Sequence, residues 1–215
     1  MSEEDPNQTK QTGDCAMPVN TIWSKRLAIA STAIGLIVIC FGILIFFFRS
    51  TTVILVIRHA ERNDMQSCSP ATVKERPNPQ LALVDGESVR AQALAHVGGE
   101  DSITAIYASE FCRTQHTVQP LANQLGLTVN VVDQFEADGT TVNVDNLIDQ
   151  IWTNNRGQVV LVAGHTSTVP VIIEELSGIS IAEIDETEFD NLFVVVVPRW
   201  WGRTKVVRLK YGAAT

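Results

Sequence analysis

No block of lysine or arginine runs through this chain: 16 basic residues stand against 24 acidic ones, for a formal charge of -8. Counterion release on nucleic acid needs a basic face, so a nucleic-acid partner is excluded. Cysteine is scarce, and Cys15, Cys40, Cys68 and Cys112 have neither metal-ligand spacing nor the density of a disulfide-framework domain. No zinc site is indicated. Internal repeats and low-complexity segments are also missing, which leaves one ordinary catalytic domain as the expectation. With 215 residues at 45% hydrophobic content, the chain has room for one well-buried domain and an appendage, but not for two full domains.

What is present divides into three stretches. Residues 1–26 mix Ser, Glu, Asp, Asn, Gln, Thr and Pro with few large apolar groups. They cannot bury enough surface to offset the entropy of ordering and read as a disordered tail. From Leu27 to Phe48 there are 22 residues without a charge, about 33 Å of helix, which predicts a transmembrane helix over 27–48. Trp23 and the edge Phe46-Phe47-Phe48-Arg49 suit the two interfaces. A cleaved signal peptide would have a shorter apolar core and a small-residue cleavage site, which Phe48-Arg49-Ser50-Thr51-Thr52 does not offer.

Lys25 and Arg26 before the span, with Arg49 after it, favour a cytoplasmic tail and an extracytoplasmic domain over 49–215. Ser31, Gly35 and Gly42 share nearly one helix face. They either allow close helix pairing or are incidental, so the oligomeric state stays open. With strand one beginning near Val53, only Arg49 to Thr52 links span and domain. Four extended residues reach at most about 14 Å, so the domain is expected against the membrane, within reach of a membrane-associated substrate.

Val53-Ile54-Leu55-Val56-Ile57 reads as a central strand buried on both faces of an α/β sheet. It stops at Arg58-His59-Ala60-Glu61-Arg62. Asn63 to Gln80, with Pro70, Pro77 and Pro79, reads as a loop. Asp85-Gly86-Glu87 opens an amphipathic helix that ends at Gly98-Gly99. Ile103–Ala108, Thr128–Val132, Val159–Ala163, Leu192–Val197 and Lys205–Leu209 are the remaining expected strands. Thr114–Gln124, Val142–Trp152 and Thr168–Leu176 are the remaining helices. The fold class is α/β, with a mostly parallel central sheet, helices on both faces and one preceding transmembrane helix.

In such sheets chemistry sits at the carboxyl ends of the strands. Three strands deliver polar groups there: Arg58 and His59 from the first, Ser109 and Arg113 from the second, His165 from the fourth. An arginine fork binds a phosphoryl group through two donors, and an imidazole attacks phosphorus or exchanges a proton. With these residues in place, the chain resembles the histidine phosphatase superfamily, which includes the phosphoglycerate mutases. The resemblance runs from about Val53 to Tyr211. It is carried by Arg58-His59-Ala60-Glu61, by Ile106-Tyr107-Ala108-Ser109 with Arg113-Thr114-Gln115-His116-Thr117, and by Gly164-His165-Thr166-Ser167-Thr168-Val169-Pro170. The last segment is most like that of small bacterial members. Leu83 to Ala95 is loosely similar to the family's following helix.

The resemblance implies a phosphoglycerate mutase-like fold and a phosphatase that needs no metal or other cofactor. His59 would form a phosphohistidine, His165 would hydrogen-bond the transferring oxygens, and Arg58 and Arg113 would clamp the charge, with Arg62 and Ser109 beside them. Glu136, just after the third strand, is the candidate general acid, with Asp133 as rival and a solvated loop carboxylate as the alternative. The rival to a phosphomonoester hydrolase is an inactive, membrane-tethered module that binds phosphate or a phosphoprotein.

Arg62 is equally placed for a surface ion pair. His96 and His116 read as packing or solvent-facing residues, and Cys68 and Cys112 as a pair in an oxidising compartment or as free thiols. Arg199-Trp200-Trp201-Gly202-Arg203 reads as a turn whose rings pack on the domain or touch the membrane interface.

Overall fold

A computed structural model describes residues 34–44, 51–99, 102–199 and 202–215. The chain divides into two units, Met1–Phe46 and Phe47–Thr215. In the first, residues 34–44 form helix α1, whose large side chains, from Ile34 to Leu44, are 51–67% exposed. The tail over 1–26 and the rest of the expected span over 27–48 lie outside the described residues. Among the described residues, no helix is long and apolar enough to cross a membrane. Trp200 and Trp201 also lie outside them.

The second unit is built on a six-stranded sheet in the order β5-β4-β6-β1-β7-β8. Its strands are β1 (Thr51–Arg58), β4 (Ile103–Ala108), β5 (Val129–Val131), β6 (Val159–Gly164), β7 (Asn191–Pro198) and β8 (Lys205–Lys210). β5, β4, β6 and β1 run parallel, while β7 is antiparallel to both its neighbours, β1 and β8. Four helices cover it: α2 (Val89–Gly98), α3 (Cys112–Leu125), α4 (Asp145–Asn154) and α5 (Thr168–Ser177).

Alternation along the strands fills both faces. Ile54, Val56, Val160, Val162 and Tyr107 pack with Leu147 and Ile151 of α4 and Ile172, Ile173 and Leu176 of α5. Ile57, Leu161, Ala163 and Ile106 pack with Leu94 of α2 and Val118 and Leu121 of α3. This two-sided burial explains why β1 is apolar at consecutive positions from Val53 to Ile57 rather than at every second one. The expected mostly parallel sheet with helices on both faces is therefore present.

Two local expectations change. The helix after Asp85 starts later, at Val89, where the Ser88 Oγ caps it by accepting from the Ala91 amide. The segment expected as a loop over 63–80 is a hairpin instead, β2 (Arg62–Val73) with β3 (Arg76–Leu81), which form their own two-stranded sheet. Each strand of a two-stranded ribbon has a free edge, so Pro77 and Pro79 cost no ladder hydrogen bond that another strand needs. The turn is made by Lys74 and Glu75 at φ 48° and 61°, a left-handed geometry normally marked by Asn or Gly. Cys68 of β2 is bonded to Cys112 at the start of α3, which resolves the thiol question as a disulfide.

Candidate active site

Strand register sets the site. Arg58 lies level with Gly164 and Ala108 level with Ala163, so the residues that follow each strand emerge at one edge. Arg58, His59, Ser109, Arg113 and His165 meet there, each 5% exposed or less. The two imidazole centroids are 5.3 Å apart. The N-terminal ends of α3 and α5 open at this edge, adding partial positive charge.

The tautomers follow from the partners. The Nδ1 of His59 lies 2.7 Å from the Ala60 carbonyl; a carbonyl only accepts, so Nδ1 carries the proton and Nε2 keeps a free lone pair. The Nη2 of Arg113 lies 3.2 Å from the Nδ1 of His165. A guanidinium only donates, so here Nδ1 accepts and the proton sits on Nε2, which donates to the Ser109 Oγ at 2.7 Å. Ser109 is 2.8 Å from the Thr114 Oγ1, which donates to the Phe111 carbonyl at 2.7 Å. Ser109 thus orients His165.

Burial holds the His59 pKa well below its ordinary 6.5, with Arg113, Arg58 and Arg62 adding to the shift. The same happens at His165 through burial first, then His59, Arg113 and Arg76. Both imidazoles are neutral near pH 7. The two arginines differ. Arg58 donates through Nη1 to the carbonyls of Asp185, Glu186 and Glu188 at 2.8–3.0 Å and lies over the Phe189 ring at 4.0 Å. Its Nε is buried without a partner. Arg113 has Nε and Nη1 buried without partners, and burial, aided by Arg62 and Arg76, lowers its pKa to about 10. Three buried guanidinium donors beside two neutral imidazoles form a site short of an anion.

The other expected residues fall around this cluster. Arg62 is exposed and pairs with Asp64 at 2.8 Å, and it lines a pocket with Arg76 and Arg113. Glu136 is exposed; its Oε1 accepts from the Asn143 Nδ2, and it lines a neighbouring pocket with Asp133 and Lys74. Asp133 pairs with Lys74 at 2.9 Å. Among the described residues, neither carboxylate hydrogen-bonds to an imidazole of the site. His96 and His116 are both exposed.

Several contributors carried no motif. Arg76, on the unexpected hairpin, stacks at 4.8 Å over Phe135 and donates to the Gly139 carbonyl. Phe189 and the carbonyls before it come from an irregular stretch ahead of β7. Gln134, fully buried, donates to the Ala163 carbonyl and accepts from the Thr168 Oγ1, which in turn accepts from the His165 amide. Gly164 makes that packing possible, because a Cβ there would lie 2.6 Å from the Thr168 Oγ1. Glu61 of the first motif serves as a strut: its Oε1 accepts from the Nε and Nη2 of buried Arg90 at 2.9 and 2.6 Å. Arg90 is the second residue of α2, and no motif marked that pair.

Comparison with known proteins agrees with this geometry. Residues 54–137 match the histidine phosphatase superfamily (branch 1), whereas no curated protein matches the chain. Among solved structures, a mycobacterial glucosyl-3-phosphoglycerate phosphatase is 14% identical with a TM-score of 0.52, covering 76% of this chain and 100% of its own. The protein histidine phosphatase SixA is 20% identical with a TM-score of 0.52, covering 74% of this chain and 96% of its own. A putative alpha-ribazole-5'-P phosphatase from Escherichia coli is 15% identical with a TM-score of 0.52, covering 75% and 96%. The family match thus covers residues 54–137, and the α/β sheet that contains them has the fold of these solved phosphatases.

Proposed function

We propose that this chain is a membrane-anchored phosphatase that hydrolyses a phosphomonoester through a phosphohistidine on His59. The observation that carries the reading is the set of unpartnered buried donors of Arg58 and Arg113 around two neutral imidazoles. The His59 Nε2 lone pair attacks phosphorus, the N–P bond forms as the P–O bond breaks, and the equatorial oxygens fill the empty guanidinium donors. His165 turns its Nε2–H from the Ser109 Oγ to an oxygen of the transferring group. The leaving oxygen takes a proton from Glu136, which exchanges its Asn143 partner for the substrate. Water, passing a proton back to the Glu136 carboxylate, then attacks phosphorus as the N–P bond breaks, releasing inorganic phosphate and returning His59 neutral.

The anchor is the stretch 27–48. Its uncharged length and the exposed apolar side chains of α1 support it. An extracytoplasmic domain is supported by Lys25 and Arg26 before the span and by the Cys68–Cys112 bond, since disulfides persist in oxidising compartments. Alkaline carbonate extraction checks the anchor: release into the supernatant would refute it.

The test of the reaction is hydrolysis of an activated aryl phosphate without added metal, beside His59→Ala, with trapping of acid-labile phosphate. Turnover and trapping that both vanish in the variant are expected. The exposed, Asn143-paired position of Glu136 favours one rival, a phosphate-binding module without turnover. Tungstate binding by a chain that neither turns over nor traps phosphate would establish that rival.

A further inference from the structure

The β2–β3 hairpin and α3 enclose a pocket of about 300 Å3 lined by Arg62, Asp64, Ser67, Arg76, Pro77, Pro79 and Arg113. Three guanidinium groups face one carboxylate, and that carboxylate is already paired to the Arg62 Nε. Arg76 cannot easily swing away. It lies over the rings of Phe135 and Phe111 at 4.8 and 5.6 Å, and its Nη1 is tied to the Gly139 carbonyl at 2.8 Å. Arg113, the wall nearest the histidines, is 4% exposed and has two unpartnered nitrogens. Lys74 also lies on this hairpin, but Asp133 and Glu110 hold its charge.

Resting on the phosphatase reading, we propose that this pocket is a second anion subsite: the preferred substrates carry, on the leaving group, a carboxylate or second phosphate gripped by Arg76 and Arg62. One phosphoryl group spanning Arg58 and Arg113 leaves the two hairpin arginines with the single Asp64 carboxylate, which Arg62 already holds, and a charge-assisted fork is the strongest contact Arg76 can make. Arg113 belongs to both halves, so a substrate bearing two anions bridges the reacting centre and the hairpin. The hairpin thereby selects among phosphomonoesters, while the strand-end residues carry out the chemistry.

Calorimetric titration of the full chain in detergent tests this with three stable probes: phenylphosphonate, its meta-carboxylate derivative and meta-benzenediphosphonate. The second anion is expected to tighten Kd about tenfold in the wild type, the worth of one charge-assisted hydrogen bond. In Arg76→Gln the ratio should fall to about two or below, with Arg76→Lys in between, and Arg62→Gln should lower it less. A gain confined to one of the two dianionic probes supports the subsite and identifies its anion as carboxylate or phosphate. Equal affinities for all three probes in the wild type, or an unchanged ratio in both glutamine variants, overturns it. Thermal unfolding shows whether each variant is folded. Turnover and trapping are read separately: equal affinities with turnover intact leave the phosphatase without a subsite, and a tenfold ratio without turnover leaves a two-anion binding site.

Discussion

The carboxyl edge of the parallel strands and the β2–β3 hairpin both bring arginines to one site, by opposite means. At the edge, Arg58 and Arg113 are placed by register and by a core that packs both sheet faces. In the hairpin, Arg62 and Arg76 sit on a ribbon with two free edges, fixed by one disulfide, one ion-paired lysine and ring stacking. The edge is rigid because moving it would break the core. The ribbon can vary without unfolding the domain, which suits a region that selects substrates rather than transforms them.

Within the edge, Arg113 should behave unlike Arg58. Arg113→Met removes a buried cation that has few partners, so turnover should fall about 10³-fold while the ligand-free melting temperature holds or rises. Arg58→Met should lose both activity and melting temperature, because three carbonyls lose their donor. Equal melting losses in the two variants would erase the distinction. Replacing Cys68 and Cys112 by Ser should cost about 3 kcal/mol in denaturant unfolding. Hydrogen exchange should speed up first in β2 and β3; equal loosening of β1, β4 and β6 would make hairpin and edge one unit.

Acid gives the next effect. Both histidines have native pKa values well below 6.5, so below about pH 6.5 the unfolded chain binds protons that the native chain refuses. Stability should therefore fall with falling pH, by at most about 3 kcal/mol per pH unit when both groups contribute. Their replacement by Gln should flatten that slope. Gly164→Ala pushes a methyl into Thr168 and Gln134 and should cost about 2 kcal/mol in unfolding experiments; no loss would show that the His165 turn can give way. Glu136→Gln should have the smallest effect, slowing poor leaving groups about tenfold more than good ones. Equal slowing of both would remove Glu136 as the acid.

The edge was legible in the sequence and the hairpin was not. Val53 to Ile57 is apolar at consecutive positions and ends at Arg58 and His59, which locates a central strand and the edge where the candidate site lies. Gly164-His165 repeats the pattern on β6. Lys74 and Glu75 make a left-handed turn without the Gly or Asn that normally marks one, and three prolines made 63–80 look like a loop. Arg76 was hidden with that segment. The carbonyls and ring that hold Arg58 come from 185–189, where backbone donors and acceptors leave no residue-type signature.

By itself the sequence determined the α/β class, the three strand ends that matter and the residue types placed there, because hydrophobic periodicity and chain breaks are local properties. Tertiary structure alone decided which atoms of those residues are free. The pairing of His59 with its neighbouring carbonyl, the His165 tautomer set by Arg113 and Ser109, and the three unpartnered guanidinium donors all depend on partners far apart in the chain. Desolvation and hydrogen-bond geometry exist only once those partners meet.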